Sequence, residues 1–231
     1  MGCLLYYITD RTQFPANRRR SLLAKIAEAA SCGIDYIQLR ERDLGTRELE
    51  RLAREAVAVV REAHQQTTED QERRTGTREL GSGFRTRLLI NSRTDVALAV
   101  GADGVHLRSE DVSATDVRAI WKEALAGKSA APPIIAASCH TPADAALAAS
   151  SGADFAVFAA VFGKRNQPGV RPTGLDLLHN ACHAKIPVLA LGGVTLENAA
   201  SCLQAGAAGV AGIRLFQENR IEDVVHALRV P

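Results

Sequence analysis

Short apolar segments alternate with amphipathic segments along the chain, and the alternation occurs eight times. The apolar segments are bounded by turn residues and are mostly hydrophobic at successive positions, as strands buried on both faces are. We predict strands at Leu4–Ile8, Tyr36–Arg40, Leu88–Asn91, Gly104–Leu107, Ile134–Ala137, Phe155–Phe158, Val188–Leu191 and Gly209–Ile213.

The segments between these strands have the spacing of amphipathic helices. Leu22, Ile26, Ala29 and Ala30 form one apolar stripe. Later helices are predicted over about residues 113–125, 141–151, 175–183 and 195–205. Thr141 and Thr195 are the predicted N-caps of two of them, because threonine side chains accept hydrogen bonds from the first helical turn.

A glycine-containing phrase recurs where helices are predicted to end. It reads SCGID at 31–35, AVGAD at 99–103, SSGAD at 150–154 and QAGAA at 204–208. Each copy places a glycine at a helix C-terminus before a short loop and a strand. Together with the eight predicted strands and the helices between them, this pattern favours one α/β domain over residues 1–231, a (β/α)8 TIM barrel. An open Rossmann-type sheet is the alternative, but no GxGxxG follows the first strand.

The segment 67–87 interrupts the alternation of apolar and amphipathic segments, because it is polar and charged and has almost no hydrophobic side chains to bury. We expect a mobile surface insertion between the second helix and the third strand. That position is on the side of a barrel opposite the usual active site. An arginine-rich loop that binds a partner is the alternative interpretation.

Composition narrows the classes of function. The 28 basic and 26 acidic residues leave a formal net charge of +2, which is too balanced to indicate nucleic acid or a membrane surface as a partner. No apolar run approaches the roughly 20 residues of a membrane span. The first residues lack the basic region and cleavage site of a signal peptide. We therefore expect a soluble, cytoplasmic protein.

The cysteines do not indicate a disulfide framework or a zinc site, because the five of them are widely spaced and form no CxxC. Cys139 differs from the others in lying between Ser138 and His140 at a strand end, so a nucleophilic role is one hypothesis for it.

In a barrel, functional side chains gather where strands end and βα loops begin. Arginines at these positions indicate a phosphorylated ligand, and glycines after strands seven and eight indicate a bound phosphate. The paired acids Glu110 and Asp111 indicate either a magnesium site or a solvent-exposed loop. The candidate residues, in strand order, are Gln38, Arg40, Arg42, Asn91, Glu110, Asp111, Ser138, His140, Lys164, Arg165, Gly192, Gly193, Ile213 and Arg214.

Five motifs in order resemble the thiamine phosphate synthase and thiazole tautomerase superfamily. They are YIQLRER (36–42), LINSRTDVAL (89–98), GADGVHL (101–107), SCHT (138–141) and LGGV (191–194). The likeness extends from about Tyr6 to Phe216, with only 67–87 outside it. It implies a (β/α)8 barrel that binds a thiazole phosphate at its C-terminal face, and it suggests a homodimer.

The synthases of this superfamily join hydroxymethylpyrimidine diphosphate to a thiazole phosphate, with magnesium on the diphosphate. By resemblance, Gln38 and Arg40 would contact the pyrimidine and diphosphate, Asn91 would face the diphosphate, and Asp111 would be a magnesium ligand. Ser138 would lie beside the reacting centre. The thiazole phosphate would be held by Gly193, Ile213 and Arg214. Their charge or their glycine backbone at the strand ends makes four more residues substrate-binding candidates: Arg42, Lys164, Arg165 and Gly192.

This sequence departs from the synthase pattern at several positions. Ser92 stands where an aspartate is typical, Arg42 where a lysine is typical, and Arg108-Ser109 where Gly-Gln is typical. The Thr-x-Thr-Lys lid is replaced by residues 164–167. These departures favour the tautomerase branch, which moves a proton without a metal.

In the tautomerase branch His140 would be the general acid/base, a task suited to a group with an ordinary pKa near 6.5. A His140 that merely caps its loop is the structural alternative, and we interpret His106, inside a strand, as structural. The retained Asp111, Gln38, Arg40 and Ser138 favour the synthase. We predict a transferase that uses Mg²⁺, and two alternatives stay open: a metal-free tautomerase and a non-catalytic protein that binds thiamine precursors.

Overall fold

The computed structural model describes residues 2–75, 85–127, 129, 131–163 and 171–229. Eight parallel strands close into a barrel in chain order, and β1 pairs with β8 to complete it. The predicted (β/α)8 barrel is therefore confirmed. The strands are β1 Leu4–Ile8, β2 Tyr36–Leu39, β3 Arg87–Asn91, β4 Gly104–Leu107, β5 Ile134–Cys139, β6 Phe155–Ala159, β7 Val188–Leu191 and β8 Gly209–Gly212.

Helices surround the barrel and cover the outer face of its strands. They are α1 Arg18–Ser31, α2 Thr46–Thr75, α3 Thr94–Val100, α4 Ala114–Ala124, α5 Pro142–Ser150, α6 Gly174–Ala181, α7 Ala199–Gln204, α8 Arg214–Gln217 and α9 Ile221–Arg229, with a 3₁₀ helix at Arg11–Gln13. One apolar core lies between strands and helices, and a smaller one inside the barrel includes Tyr6, Leu89 and Phe155. Within the described ranges, no helix is long and apolar enough to cross a membrane.

The recurring Gly-x-Asp phrase has a structural role at the N-terminal end of the barrel. In each of three copies the aspartate carboxylate accepts a hydrogen bond from the first part of the preceding strand: Asp35 from Leu5 N–H at 2.7 Å, Asp103 from Leu88 N–H at 2.9 Å, and Asp154 from Ile135 N–H at 2.7 Å. These backbone donors would otherwise lack a partner at the strand start. The fourth copy has Ala208 in place of the aspartate.

The predicted start of α7 at Thr195 is wrong, because this helix begins at Ala199 after Asn198. The Asn198 side chain accepts a hydrogen bond from Thr195 N–H at 2.8 Å and donates one to the carbonyl of Gly193 at 3.0 Å. These two bonds hold the residues after β7 in a loop. The predicted Thr141 cap is correct, since its side chain accepts from Asp144 N–H and Asp144 completes a capping box.

The start of the predicted insertion at 67–87 also differs from expectation, because α2 continues through Thr75. The Thr67 hydroxyl bonds to the carbonyl of Ala63 at 2.9 Å, one turn earlier in the helix. Glutamate, glutamine and arginine are good helix formers, so a polar segment can extend a helix without a core to bury. Thr86, at the other end, is buried and donates to the Ile34 carbonyl at 2.6 Å, while residues 76–84 lie outside the described ranges.

Candidate active site

A cleft of about 820 Å³ opens at the C-terminal end of the barrel. Its lining comes from the strand ends and the loops that follow them, including Gln38, Arg40, Asn91, His106, Arg108, Ser138, His140, Gly192, Gly193, Ile213 and Arg214. A cleft of about 800 Å³ also lies on the outer surface between α1 and α2, and its lining includes none of the candidate residues. The strand-end cleft therefore collects most of the candidate residues.

Hydrogen bonds connect the polar side chains at the ends of β2 and β3. The buried Gln38 amide donates to Asn91 Oδ1 at 3.1 Å, and the Asn91 amide donates to Ser92 Oγ at 3.2 Å. Ser92 has a φ of +59°, in the left-handed region that few residues other than glycine adopt. Its hydroxyl is thereby fixed beside the loop that follows β4.

The Arg108 guanidinium connects the loops after β3 and β4. Its Nε donates to Ser92 Oγ at 2.8 Å, and a terminal nitrogen donates to Asp111 Oδ1 at 3.1 Å. The backbone N–H of Arg108 donates to the other oxygen, Asp111 Oδ2, at 2.8 Å. Partial burial alone would raise the pKa of Asp111, but the bonds from Arg108 and Ser92 outweigh it and lower that pKa below its ordinary value. Asp111 is consequently a carboxylate at neutral pH.

Arg40 supplies a second guanidinium to the same side of the cleft. Burial and the nearby charges of Arg42 and Arg108 lower its pKa, although an arginine remains protonated in proteins. Among the described residues no carboxylate forms an ion pair with Arg40, so its charge is available to an anion. Arg42, which the sequence also predicted to bind substrate, is exposed and does not line the cleft.

The donor set around Asp111 does not fit a divalent cation as it stands. Magnesium prefers near-octahedral oxygen ligands, with one or two carboxylates among them. Here the Asp111 carboxylate and the Ser92 hydroxyl are both bonded to Arg108. Glu110, the other acid of the predicted pair, is exposed and lines the cleft. In the described part of the chain, no three side chains of His, Cys, Asp or Glu are grouped so that they could hold a metal ion. A cation would have to displace the guanidinium.

A chain of hydrogen bonds between side chains links Tyr6, His106 and Ser138 inside the barrel, next to the cleft. Tyr6 Oη lies 3.0 Å from His106 Nδ1, and His106 Nε2 lies 2.7 Å from Ser138 Oγ. Burial, aided by the charge of Arg40, lowers the pKa of His106 from 6.5 to about 3, so the ring is neutral at pH 7. A neutral imidazole donates from one nitrogen and accepts at the other, so one of the two hydroxyls donates to the ring and the other accepts from it.

The role of His106 is the main feature that the sequence interpretation missed. We interpreted His106 as structural because it lies within a strand, yet it lines the cleft and holds Ser138. The signal in the sequence was a polar ring in an otherwise apolar buried strand, GVHL. A buried polar side chain needs a partner, and here that partner is a predicted site residue.

His140 lies at the mouth, on the loop that joins β5 to α5. Its Nδ1–H donates to the carbonyl of Ala159 at 2.8 Å, and its backbone N–H donates to Asp144 at 2.9 Å. In the described ranges Nε2 has no protein partner. Neighbouring Cys139 is buried, and burial together with Asp144 raises its pKa to about 12, which argues against a nucleophilic thiolate.

The opposite side of the cleft is formed by the loops after β7 and β8. Gly192 and Gly193 have φ angles of +97° and +66°, and a Cβ on Gly193 would lie 2.6 Å from the carbonyl oxygen of Gly163. Ile213 and Arg214 follow β8 and line the same side. Lys164 and Arg165, which the sequence predicted as substrate-binding, lie outside the described residues.

Comparison with known proteins agrees with this architecture. The sequence model of the family described as thiamine monophosphate synthase matches residues 5–70 and 57–216. The chain is 34% identical over 228 residues to a thiamine-phosphate synthase of Syntrophomonas wolfei, covering 97% of this chain and 94% of that one. It is 35% identical over 217 residues to a thiamine-phosphate synthase of Methanoculleus marisnigri, covering 92% and 87%.

A solved structure of a thiamine phosphate pyrophosphorylase from Pyrococcus furiosus superposes with a TM-score of 0.72 at 28% identity, covering 97% of this chain and 93% of that one. The matches extend over nearly the whole barrel and include all the strands that line the cleft. The chain therefore belongs to the thiamine monophosphate synthase family.

Proposed function

We propose that this protein is a thiamine phosphate synthase, a transferase that condenses hydroxymethylpyrimidine diphosphate with a thiazole phosphate and releases diphosphate. The observation that carries the proposal is the division of one cleft into two anion-binding sides. Arg40 and Arg108 lie at one side, and the loops at Gly192, Gly193 and Ile213 lie at the other. Two phosphorylated substrates that react with each other need such a cleft.

The reaction breaks the bond between the pyrimidine methylene carbon and the diphosphate oxygen, and the electron pair leaves with the diphosphate. The lone pair of the thiazole nitrogen forms the new carbon–nitrogen bond. Negative charge therefore grows on the departing oxygen. Guanidinium groups fixed beside it stabilise that charge, because charge-assisted hydrogen bonds are strong where water is limited. In this proposal Arg40 has that catalytic role, and Gln38 and Asn91 hold the substrate.

Ser138 acts in this proposal as a hydrogen-bonding group beside the reacting carbon. A serine becomes a nucleophile when a neighbouring base removes its proton, and His106, with a pKa of about 3, is a poor base. The hydrogen bonds that link Tyr6, His106 and Ser138 instead hold the Ser138 hydroxyl in place. Tyr6 and His106 are then positioning residues.

The glycine side of the cleft would receive the thiazole phosphate. The left-handed backbone of Gly192 and Gly193 lets the main chain approach a ligand closely, since no side chain intervenes. Ile213 and Arg214 would contribute backbone donors, as barrels commonly do after the eighth strand. Participation of Lys164 and Arg165, a homodimer, a cytoplasmic location and magnesium remain predictions.

The tautomerase alternative is not favoured, because the relatives described above are named as synthases or as a pyrophosphorylase. Its candidate acid/base is His140, whose Nε2 lies at the mouth of the cleft. A condensation assay and a metal-free tautomerisation assay on the same preparation separate the two reactions.

The experiment supplies both substrates and measures thiamine phosphate as its fluorescent thiochrome after oxidation. We expect product only when both substrates are present. Arg40→Gln should lower the rate by about 10²-fold or more, because it removes a charge from the side of the leaving group. Arg54→Gln is the matched control, since Arg54 is exposed on α2 and pairs with Glu50. Tautomerisation without condensation would refute the proposal.

A further inference from the structure

The ends of β3 and β4 are joined by a guanidinium at the point where two acidic ligands would be needed to hold a cation. Arg108 binds Ser92 Oγ through Nε and Asp111 through a terminal nitrogen, at 2.8 and 3.1 Å. Both carboxylate oxygens of Asp111 accept bonds from Arg108, one from the side chain and one from the backbone. The cluster is closed on its inner side by Asn91, which donates to Ser92.

The guanidinium of this ion pair, and not its carboxylate, faces the cleft, which exposed Glu110 also lines. The side chain of Asp111 is 11% exposed, whereas that of Arg108 is 49% exposed and lines the cleft. The Arg108 guanidinium has five N–H donors, and two of its bonds are made to Ser92 and Asp111, so donors remain for a ligand. The charge of Arg108 is one of the causes that lower the pKa of Arg40, after burial and the charge of Arg42. An anion between the two arginines would bind without an added cation.

We propose that Arg108 takes the place of a divalent cation at the diphosphate side of the cleft, so that this protein binds diphosphate without magnesium. The inference rests on the proposed function. In the condensation, the carbon–oxygen bond breaks and its electron pair goes to the diphosphate, and the permanent charges of Arg40 and Arg108 compensate it. Asp111 positions Arg108 and is not itself a ligand of a metal.

A binding experiment tests this without turnover. Inorganic pyrophosphate, the released product, is titrated into the protein by calorimetry, once with a chelator and once with millimolar Mg²⁺. For the unaltered protein we expect the two Kd values to agree within about threefold. Arg108→Gln should weaken binding about tenfold or more in chelator, as expected for the loss of a charge-assisted bond. Arg54→Gln should leave both values unchanged.

A second variant converts the cluster to acidic ligands. Ser92→Asp combined with Arg108→Gly places two carboxylates at the loop ends and removes the guanidinium. This double variant should bind pyrophosphate weakly in chelator and regain affinity with Mg²⁺, and the spectrum of bound Mn²⁺ should appear only in this variant. Circular dichroism and thermal unfolding establish that each variant is folded.

Two results would overturn the proposal: a requirement of the unaltered protein for Mg²⁺ to bind pyrophosphate, or an Arg108→Gln variant that binds as well as its parent. Absence of pyrophosphate binding under both conditions would also overturn it. The proposed function is judged separately by the condensation assay. A protein that condenses both substrates but binds pyrophosphate only with Mg²⁺ would keep the function and refute the role of Arg108.

Discussion

The buried His106 should make the folding of this protein depend on pH, and substitution of this one side chain should remove its share of that dependence. Its pKa is lowered from 6.5 to about 3, first by burial and then by the charge of Arg40. In the unfolded chain the imidazole regains its ordinary pKa. Between these two values the unfolded state binds more protons than the folded state, so stability falls as the pH falls.

The size of the effect follows from the two pKa values. Above about pH 6.5 the ring is neutral in both states and adds no pH dependence, and the destabilisation grows progressively from there down to about pH 3. At pH 5 the unfolded state gains about 2 kcal/mol from protonation while the folded ring stays neutral. That is a large part of the roughly 5–15 kcal/mol by which a domain is stable.

The measurement compares the protein with His106→Gln by urea unfolding at about pH 7.5 and pH 5. Glutamine cannot take up a proton, so the variant lacks this term. At pH 7.5 we expect the variant to be the less stable, because the bonds to Tyr6 and Ser138 are disturbed. At pH 5 the gap between the two proteins should shrink by about 2 kcal/mol.

His226→Gln provides the control for the loss of a histidine, because His226 is exposed on α9. A stability gap that is the same at both pH values would refute the reasoning, since it would mean that His106 is protonated equally in the folded and unfolded states. A gap that widens at pH 5 would contradict the sign.

Three further changes test other parts of the structure. Gly193→Ala should weaken the binding of thiazole phosphate and should destabilise the fold by more than Gly127→Ala. Both glycines have left-handed φ angles, but of the two only Gly193 has atoms within 4 Å of an added Cβ. Urea unfolding of the two variants therefore separates the effect of the clash from the conformational cost of roughly 1 kcal/mol. Asp103→Ala should lower the unfolding free energy by about 1–3 kcal/mol, because Leu88 N–H loses its acceptor, and KM should be unchanged. Asp103→Asn can keep that hydrogen bond and should be destabilised less. Ser138→Ala should lower kcat, and it should also lower the unfolding free energy by about 1–3 kcal/mol because buried His106 Nε2 loses its partner. An unaltered kcat would remove this hydroxyl from the reaction.

The strand positions could be predicted from the sequence because each strand is apolar on both faces and is bounded by polar or small residues. β1, β4 and β7 match the prediction residue for residue. Helix boundaries were less accurate, for identifiable reasons. α7 starts later because Asn198 holds a loop through its side chain, and α2 ends later because charged residues can extend a helix that has nothing to bury. Neither effect changes the spacing of hydrophobic residues, from which the helix boundaries were predicted.

The same limit applies to the site. Strand-end positions were enough to find Gln38, Arg40, Asn91 and Ser138, since parallel strands bring their ends to one face. The contact of His106 with Ser138 joins residues 32 positions apart, and only the closed sheet places them side by side. Arg108 was noted as a departure from the synthase pattern, but its bonds to Ser92 and Asp111 depend on side-chain directions that periodicity does not predict.

The charges on the diphosphate side of the cleft have a consequence for how activity should vary with pH. Arg40 and Arg108 keep their protons at any pH at which the protein folds, and His106 stays neutral down to about pH 3. None of the three therefore changes charge between about pH 5 and 9. A loss of condensation on acidification must then come from the substrates, from another group, or from unfolding driven by His106. Circular dichroism at the same pH shows whether the protein is folded. An acid limb that persists while the protein is folded would belong to the substrates or to another side chain.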